Sequence, residues 1–104
     1  MSIHAGTPNN YKELVKEGFV IVDFYGESCS PCKMLSKVLD DIDFEMPFVN
    51  VVKVNTSQHF ELGEEFNIMA VPTVLFYKNN EIVDRHAGLM SAEAIKEKIA
   101  KYLY

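Results

Sequence analysis

The chain has 104 residues, of which 48% are hydrophobic, so it is long enough for one domain and too apolar to be disordered. Its formal net charge of −5 argues against nucleic-acid binding. Two cysteines are too few to staple a small secreted protein, and the first eight residues lack the basic and apolar regions of a signal peptide. No apolar run is long enough to span a bilayer. From these features together we expect a cytoplasmic protein that binds neither membrane nor nucleic acid, and a monomer is the default expectation.

The first half of the chain predicts a helix, a strand and a second helix. Residues 8–17 have the pattern of a short helix that ends at Gly18. Residues 19–25 are almost wholly apolar, which is typical of a central strand covered on both faces. Apolar residues then recur at helical spacing, and they predict a helix that begins near Cys29 and ends at Pro47.

The second half predicts shorter elements and ends in a helix. They are a strand at 49–55, a helix at 58–66, and two strands at 73–77 and 81–87 joined by a hairpin turn. Ser91 is a favourable N-cap residue for the last helix, and residues 2–5 give a weak signal for an edge strand. This order of elements predicts an α/β sandwich with a mixed sheet.

The two cysteines form a C-x-x-C motif, Cys29-Ser30-Pro31-Cys32, at the predicted junction of a strand and a helix, and this context indicates a thiol–disulfide redox site. Cysteines three apart on a first helical turn have Cα atoms roughly 5–6 Å apart, within reach of a disulfide. Cys32 shares the apolar stripe of Leu35 and should be buried, whereas Cys29 should be exposed. Unpaired N–H groups and the helix dipole favour a thiolate at Cys29.

Asp23 and Lys53 each interrupt an otherwise apolar strand. If Asp23 is buried, its carboxyl group has a raised pKa and exchanges a proton near neutral pH, with Lys53 as the candidate partner. The alternative is that both side chains lie at a solvated edge. For Pro72 the residues alone favour a trans peptide bond, because cis bonds are a small minority of X–Pro bonds.

Five segments resemble the thioredoxin family in order and spacing, over nearly the whole chain: 23–25 (Asp-Phe-Tyr), 29–34 (Cys-Ser-Pro-Cys-Lys-Met), 53–55 (Lys-Val-Asn), 71–73 (Val-Pro-Thr) and 87–88 (Ala-Gly). The resemblance implies a thioredoxin fold, in which one domain over residues 1–104 has a central mixed sheet of four to five strands flanked by helices on both faces. It implies that Cys29 is the nucleophile, that Cys32 is the resolving thiol, and that Asp23 and Lys53 form the proton-transfer pair. It also implies a cis peptide bond before Pro72.

The resemblance further implies a substrate-binding surface around the cysteines. Its expected members are Ser28, Ser30, Pro31, Ala70, Val71, Pro72, Ala87, Gly88 and Leu89. The backbone of Val71 is expected to pair with an extended substrate segment as an added strand. Four positions depart from the family pattern: Ser28 replaces a common tryptophan, Ser30 a glycine, Lys37 a proline and Ala70 a glycine.

The implied activity is that of a protein-disulfide reductase and electron carrier, without cofactor or metal. Its partners would be disulfide-containing target proteins and a thioredoxin reductase, linked to NADPH or ferredoxin, that restores the dithiol. Three alternatives stay open: a thiol oxidase or isomerase, a structural zinc site, and a redox-inert binding module. The zinc site is disfavoured because His4, His59 and His86 form no H-x₃₋₅-H pair.

Overall fold

The computed structural model describes residues 3–103, which contain five strands and four helices. The strands are β1 (Ile3–Ala5), β2 (Phe19–Tyr25), β3 (Asn50–Asn55), β4 (Thr73–Lys78) and β5 (Glu81–Ala87). The helices are α1 (Tyr11–Leu14), α2 (Ser30–Glu45), α3 (Phe60–Glu65) and α4 (Ala92–Leu103). The strands form one mixed sheet in the order β1-β3-β2-β4-β5. β1, β2 and β3 are parallel, and β4 is antiparallel to both β2 and β5.

β2 lies at the centre of the sheet, and a hydrophobic core covers each of its faces. Phe19 and Ile21 belong to the core under α2 and α4, where they pack with Leu35, Leu39, Ile42, Ile95 and Ile99. Val20, Val22 and Phe24 point to the opposite core, which contains Tyr11, Val15 and Leu62 from the region of α1 and α3. Side chains alternate between the faces of a strand, so a strand buried on both faces must be apolar throughout, as β2 nearly is.

The predicted helix at residues 8–17 is wrong in its length, because α1 covers only Tyr11–Leu14. The side chain of Asn10 holds the preceding residues in a turn: its Oδ1 accepts a hydrogen bond from the Thr7 amide at 2.7 Å, and its Nδ2 donates to the Ala5 carbonyl at 3.0 Å. These bonds compete with helix formation, as Asn side chains commonly do. Beyond Leu14, the Lys16 amide bonds the Glu13 carbonyl, three residues back.

The other predicted elements are confirmed, with boundaries that move by at most two residues. Ser91 caps α4, since its Oγ accepts a hydrogen bond from the Ala94 amide at 3.1 Å. The weak edge strand is present as β1, paired with β3; residue 2 lies outside the described residues. Within residues 3–103, no helix is both long and apolar enough to cross a bilayer.

One buried polar contact ties α1 to the sheet. The hydroxyl groups of Tyr11 and Tyr77 lie 2.9 Å apart, and both side chains are almost fully buried. Burial raises the pKa of both phenols, with the largest contribution in each case from desolvation. Each hydroxyl therefore stays neutral and serves as hydrogen-bonding partner to the other.

Replacing Tyr77 with Phe leaves the Tyr11 hydroxyl buried without this partner. We expect the free energy of unfolding to fall by about 1–3 kcal/mol, measured by urea denaturation. The double variant Tyr11→Phe/Tyr77→Phe leaves no unpaired hydroxyl, so it should lose less than the sum of the two single variants. Strictly additive losses would contradict the hydrogen-bonded pair.

Candidate active site

Cys29 and Cys32 form a disulfide at the N-terminus of α2. Their Cα atoms are 5.2 Å apart, within the predicted range, and their sulfur atoms are bonded. Cys29 is the N-cap residue of α2, with extended backbone angles, and its Sγ accepts a hydrogen bond from the Cys32 amide at 3.3 Å. Within residues 3–103, no group of three or more His, Cys, Asp or Glu side chains is placed to hold a metal ion.

The two cysteines differ in their access to solvent. Cys32 is only 3% exposed and lies with Leu35 on the buried side of α2, whereas Cys29 is partly exposed. This confirms the asymmetry predicted from the apolar stripe of the helix. In the reduced state, the unpaired amides and the dipole at the start of α2 stabilise a thiolate at the N-cap position. The sulfur that is accessible from solvent is thus the one at the N-terminus of the helix.

The loop before β4 lies against the exposed cysteine. The Val71 carbonyl oxygen is 3.9 Å from Cys29 Sγ, and the Val71–Pro72 peptide bond is cis. The cis bond confirms what the family resemblance implied, and the trans bond favoured by the residues alone is wrong. Gly26 lies close to the side chain of Val71, since a Cβ atom at position 26 would be only 3.2 Å from Val71 Cγ2. The lack of a side chain at Gly26 therefore allows this loop to pack closely.

Backbone hydrogen bonds join this loop to the end of β5. The Gly88 amide donates to the Pro72 carbonyl at 2.8 Å, and Thr73 pairs with Ala87 in the sheet. The hydroxyl of Thr73 also donates to the Ala70 carbonyl at 2.6 Å. As a result, the segments 70–72 and 87–88, which are distant in sequence, form one surface beside the disulfide.

The structure thus brings the predicted substrate-binding residues together around Cys29. All but one are at least partly exposed: Ser28, Ser30, Pro31, Ala70, Val71, Ala87, Gly88 and Leu89. Pro72 is buried, so it shapes this surface from beneath and is not itself an exposed contact. Leu89 also lines an adjacent cleft of about 510 Å³, whose other residues are Met34, Lys37, Val38, Met90 and Ser91.

Asp23 is completely buried in the centre of β2. By strand alternation it lies on the same face as Ile21, toward α2 and α4, and neither of its carboxyl oxygens has a hydrogen-bond partner. Desolvation raises the pKa of this carboxyl group to about 7, and the positive charge of Lys53 opposes that rise. The predicted burial and raised pKa of Asp23 are confirmed, and the alternative of a solvated edge is wrong for this residue.

Lys53 is the neighbour of Asp23 in the sheet register, but the two side chains form no hydrogen bond or ion pair. The Lys53 ammonium group instead donates to Ser36 Oγ at 2.8 Å and to Asp40 Oδ1 at 2.9 Å, both on α2. In this structure, Lys53 acts on Asp23 through its electric field and not through a direct contact, and its part in proton transfer stays a prediction. The physical reason is that α2 offers Lys53 a partly exposed carboxylate, with which pairing costs less desolvation than with a buried one.

Ser36 and Asp40 are not among the residues predicted from the sequence. They are four residues apart on a helix and therefore share a face, which is a signal that the sequence does contain. The contacts that hold the segment before Cys29 were likewise not predicted: the Glu27 amide donates to Ser57 Oγ at 3.1 Å, and Asn55 Nδ2 donates to the Glu27 carboxylate at 3.3 Å. These contacts support Ser28, whose φ of 55° is unusual for a residue other than glycine.

Comparison with known proteins agrees with this geometry. The family model described as Thioredoxin matches residues 2–101. A thioredoxin of Bacillus subtilis is 33% identical over 104 residues, covering 99% of this chain and 100% of the relative. A thioredoxin of Rickettsia felis is 35% identical over 98 residues, covering 91% and 93%. Among solved structures, a thioredoxin of Malassezia sympodialis superimposes with a TM-score of 0.86 at 23% identity, covering 100% of this chain and 96% of the other, which supports the fold.

The buried carboxyl group predicts a pH-dependent stability. The ordinary pKa of Asp is about 3.9, so between about pH 4 and pH 7 the unfolded chain gives up this proton while the folded chain keeps it. Rising pH therefore favours the unfolded state across that window, and the effect levels off above it. Relative to an Asp23→Asn variant, we expect the wild-type free energy of unfolding to fall by on the order of 4 kcal/mol.

Urea denaturation of both proteins at a series of pH values measures this difference. Titrating groups elsewhere contribute equally to the two proteins, and the constant cost of burying an amide cancels when values at different pH are compared. If the free energies of unfolding of the two proteins, plotted against pH, stay parallel from pH 4 to pH 7, the pKa of Asp23 is not raised.

Proposed function

The chain belongs to the thioredoxin family, and from the geometry of its disulfide we propose that Cys29 is the nucleophile of a protein-disulfide reductase. Family members are protein-disulfide oxidoreductases that act by dithiol–disulfide exchange, and this chain has the redox-active cysteine pair that the reaction requires. The roles of the two cysteines are assigned from one observation: Cys29 is more exposed than Cys32, although their sulfur atoms are bonded to each other.

The first step uses the exposed sulfur. In the reduced protein, the Cys29 thiolate attacks one sulfur of a target disulfide, and the other target sulfur leaves as a thiolate that takes a proton from water. The product is a mixed disulfide between Cys29 and the target. The position of Cys29 at the start of α2 supports this role, because the unpaired amides and the positive end of the helix dipole favour a thiolate there.

The second step uses the buried sulfur. Cys32 gives its proton to the Asp23 carboxylate, and the resulting thiolate attacks Cys29 Sγ. The bond between Cys29 and the target breaks, the second target sulfur leaves as a thiolate, and the two electrons of the dithiol now reside on the target. Asp23 suits this task because a carboxyl group with a pKa of about 7 is ionised in a large fraction of molecules near neutral pH and can still hold a proton.

Docking of the target uses the surface formed by residues 70–72 and 87–89 together with Ser28, Ser30 and Pro31. An extended target segment pairs with the backbone of Val71 and thereby brings its disulfide to Cys29. The closeness of the Val71 carbonyl to Cys29 Sγ, at 3.9 Å, supports this arrangement. A separate thioredoxin reductase, linked to NADPH or ferredoxin, then restores the dithiol, and the protein works in the cytoplasm as a monomeric domain without a cofactor.

Replacing Cys32 with Ser should stop the reaction after the first step. With insulin as the disulfide substrate, we expect the reduced variant to accumulate a covalent adduct through Cys29, because no second thiol is present to release the target. Non-reducing gel electrophoresis detects the adduct, and dithiothreitol should remove it. Turnover of insulin, driven by dithiothreitol in excess, should be lost relative to wild type.

The matched control is Cys29→Ser, which keeps the buried thiol and should form little adduct. Adducts that form equally well with Cys29→Ser would contradict the assignment of the nucleophile. Wild-type protein that reduces no insulin, although both thiols are titratable in the unfolded chain, would instead favour a redox-inert binding module. A redox equilibrium with glutathione that lies far toward the dithiol form would favour the oxidase alternative.

A further inference from the structure

Two residues of α2 hold the ammonium group of Lys53 against the helix. Ser36 Oγ accepts one hydrogen bond from Lys53 Nζ at 2.8 Å, and Asp40 Oδ1 accepts a second at 2.9 Å. The Lys53 side chain is only 18% exposed, so its stem runs between the sheet and the helix, and only its end reaches the carboxylate at the surface. The position of this charge is therefore defined by two contacts and not left to solvent.

Lys53 is also the charged group whose field acts on Asp23. The neighbours of Asp23 in the register are Lys53 on β3 and Val74 on β4. On the same face, α2 contributes Cys32 and its apolar stripe, and α4 contributes Ile95 and Ile99. The groups that face Lys53 are Ser36 and Asp40 from α2, Asp23 from β2, and Ala5, its partner on β1.

We propose that Ser36 and Asp40 are positioning residues that hold the Lys53 ammonium group on α2 and thereby limit how strongly it stabilises the Asp23 carboxylate. This inference rests on the proposed function, in which Asp23 takes the proton of Cys32. A lysine paired directly with Asp23 would keep the carboxylate ionised at lower pH and make it a weaker base. By binding the ammonium group elsewhere, α2 preserves the basicity that the second step uses.

The contacts of Lys53 predict the direction in which the pKa of Asp23 changes when one of them is removed. Without the Asp40 carboxylate, Lys53 loses its charged partner. Its positive charge then stabilises the carboxylate of Asp23, which lies beside Lys53 in the sheet register. Removal of the negative charge of Asp40 also favours ionisation of Asp23 by reducing repulsion between carboxylates. Both effects lower the pKa of Asp23, whereas removal of Lys53 itself raises it.

The test is an NMR titration of the Asp23 side-chain carboxyl carbon in the full-length oxidised protein. In this state both sulfurs are bonded, so no cysteine titrates. For Asp40→Asn we expect the titration midpoint to fall by about half a pH unit or more, a roughly threefold loss of proton affinity. Ser36→Ala should lower it by less, since it removes one neutral acceptor, and Lys53→Met should raise it.

The matched control is Asp41→Asn, which removes the same charge from an exposed position one residue along the helix. This variant should leave the midpoint close to that of wild type. A midpoint in Asp40→Asn that rises, or that equals the midpoint in Asp41→Asn, overturns the proposal. A fall that is much smaller when Asp40→Asn is introduced into the Lys53→Met variant supports it, because most of the effect then acts through Lys53, and a fall of the same size in that background overturns it.

The same variants separate this inference from the proposed function. The midpoint of Asp23 is measured without substrate, so it reports on positioning even if the protein reduces no insulin. Wild-type protein that is inactive toward insulin, with the expected shift in Asp40→Asn, would overturn the reductase assignment and leave the positioning role intact. Active wild-type protein with no shift in Asp40→Asn would do the reverse.

Discussion

The burial of β2 on both faces determines the arrangement of the whole site. A strand between two hydrophobic cores must occupy the centre of the sheet, so β3 and β4 flank it on either side. Its carboxyl end then leads directly to Cys29, while β3 contributes Lys53 and the loop before β4 contributes Pro72. The loop that holds Pro72 therefore lies against Cys29, and Lys53 lies beside Asp23 in the sheet, because one strand is fully covered.

The burial of β2 also destabilises the folded state at one residue, Asp23. Asp23 carries two carboxyl oxygens without a hydrogen-bond partner into the interior, where an apolar residue of similar size would favour folding. A buried carboxyl group can nevertheless exchange a proton near neutral pH, which an exposed one cannot do efficiently. Cys32, on the same covered side of the sheet, has no free access to water as a proton acceptor. In the proposed mechanism, Asp23 accepts inside the protein the proton that solvent would accept at Cys29.

The sequence predicted correctly those features that depend on the residue spacing within a single helix or strand and on which of its faces is buried. The apolar run of β2, the stripe of α2 and the cap at Ser91 each follow from local spacing, and so does the difference between the two cysteines. It was less informative where two contacts compete. The length of α1 depends on the side chain of Asn10, and the partner of Lys53 depends on which α2 residues face β3. Residue spacing alone does not determine which of two competing contacts forms, because that depends on the strand register and on how elements distant in sequence pack together.

One departure from the family pattern connects these observations. Lys37 occupies a position where a proline often kinks the helix, and here α2 continues without interruption from Ser30 to Glu45. A proline at this position would remove the backbone hydrogen bond to residue 33 and push its carbonyl away. In the uninterrupted helix, Ser36 and Asp40 lie one turn apart on the same face, at the spacing that lets both reach Lys53 Nζ.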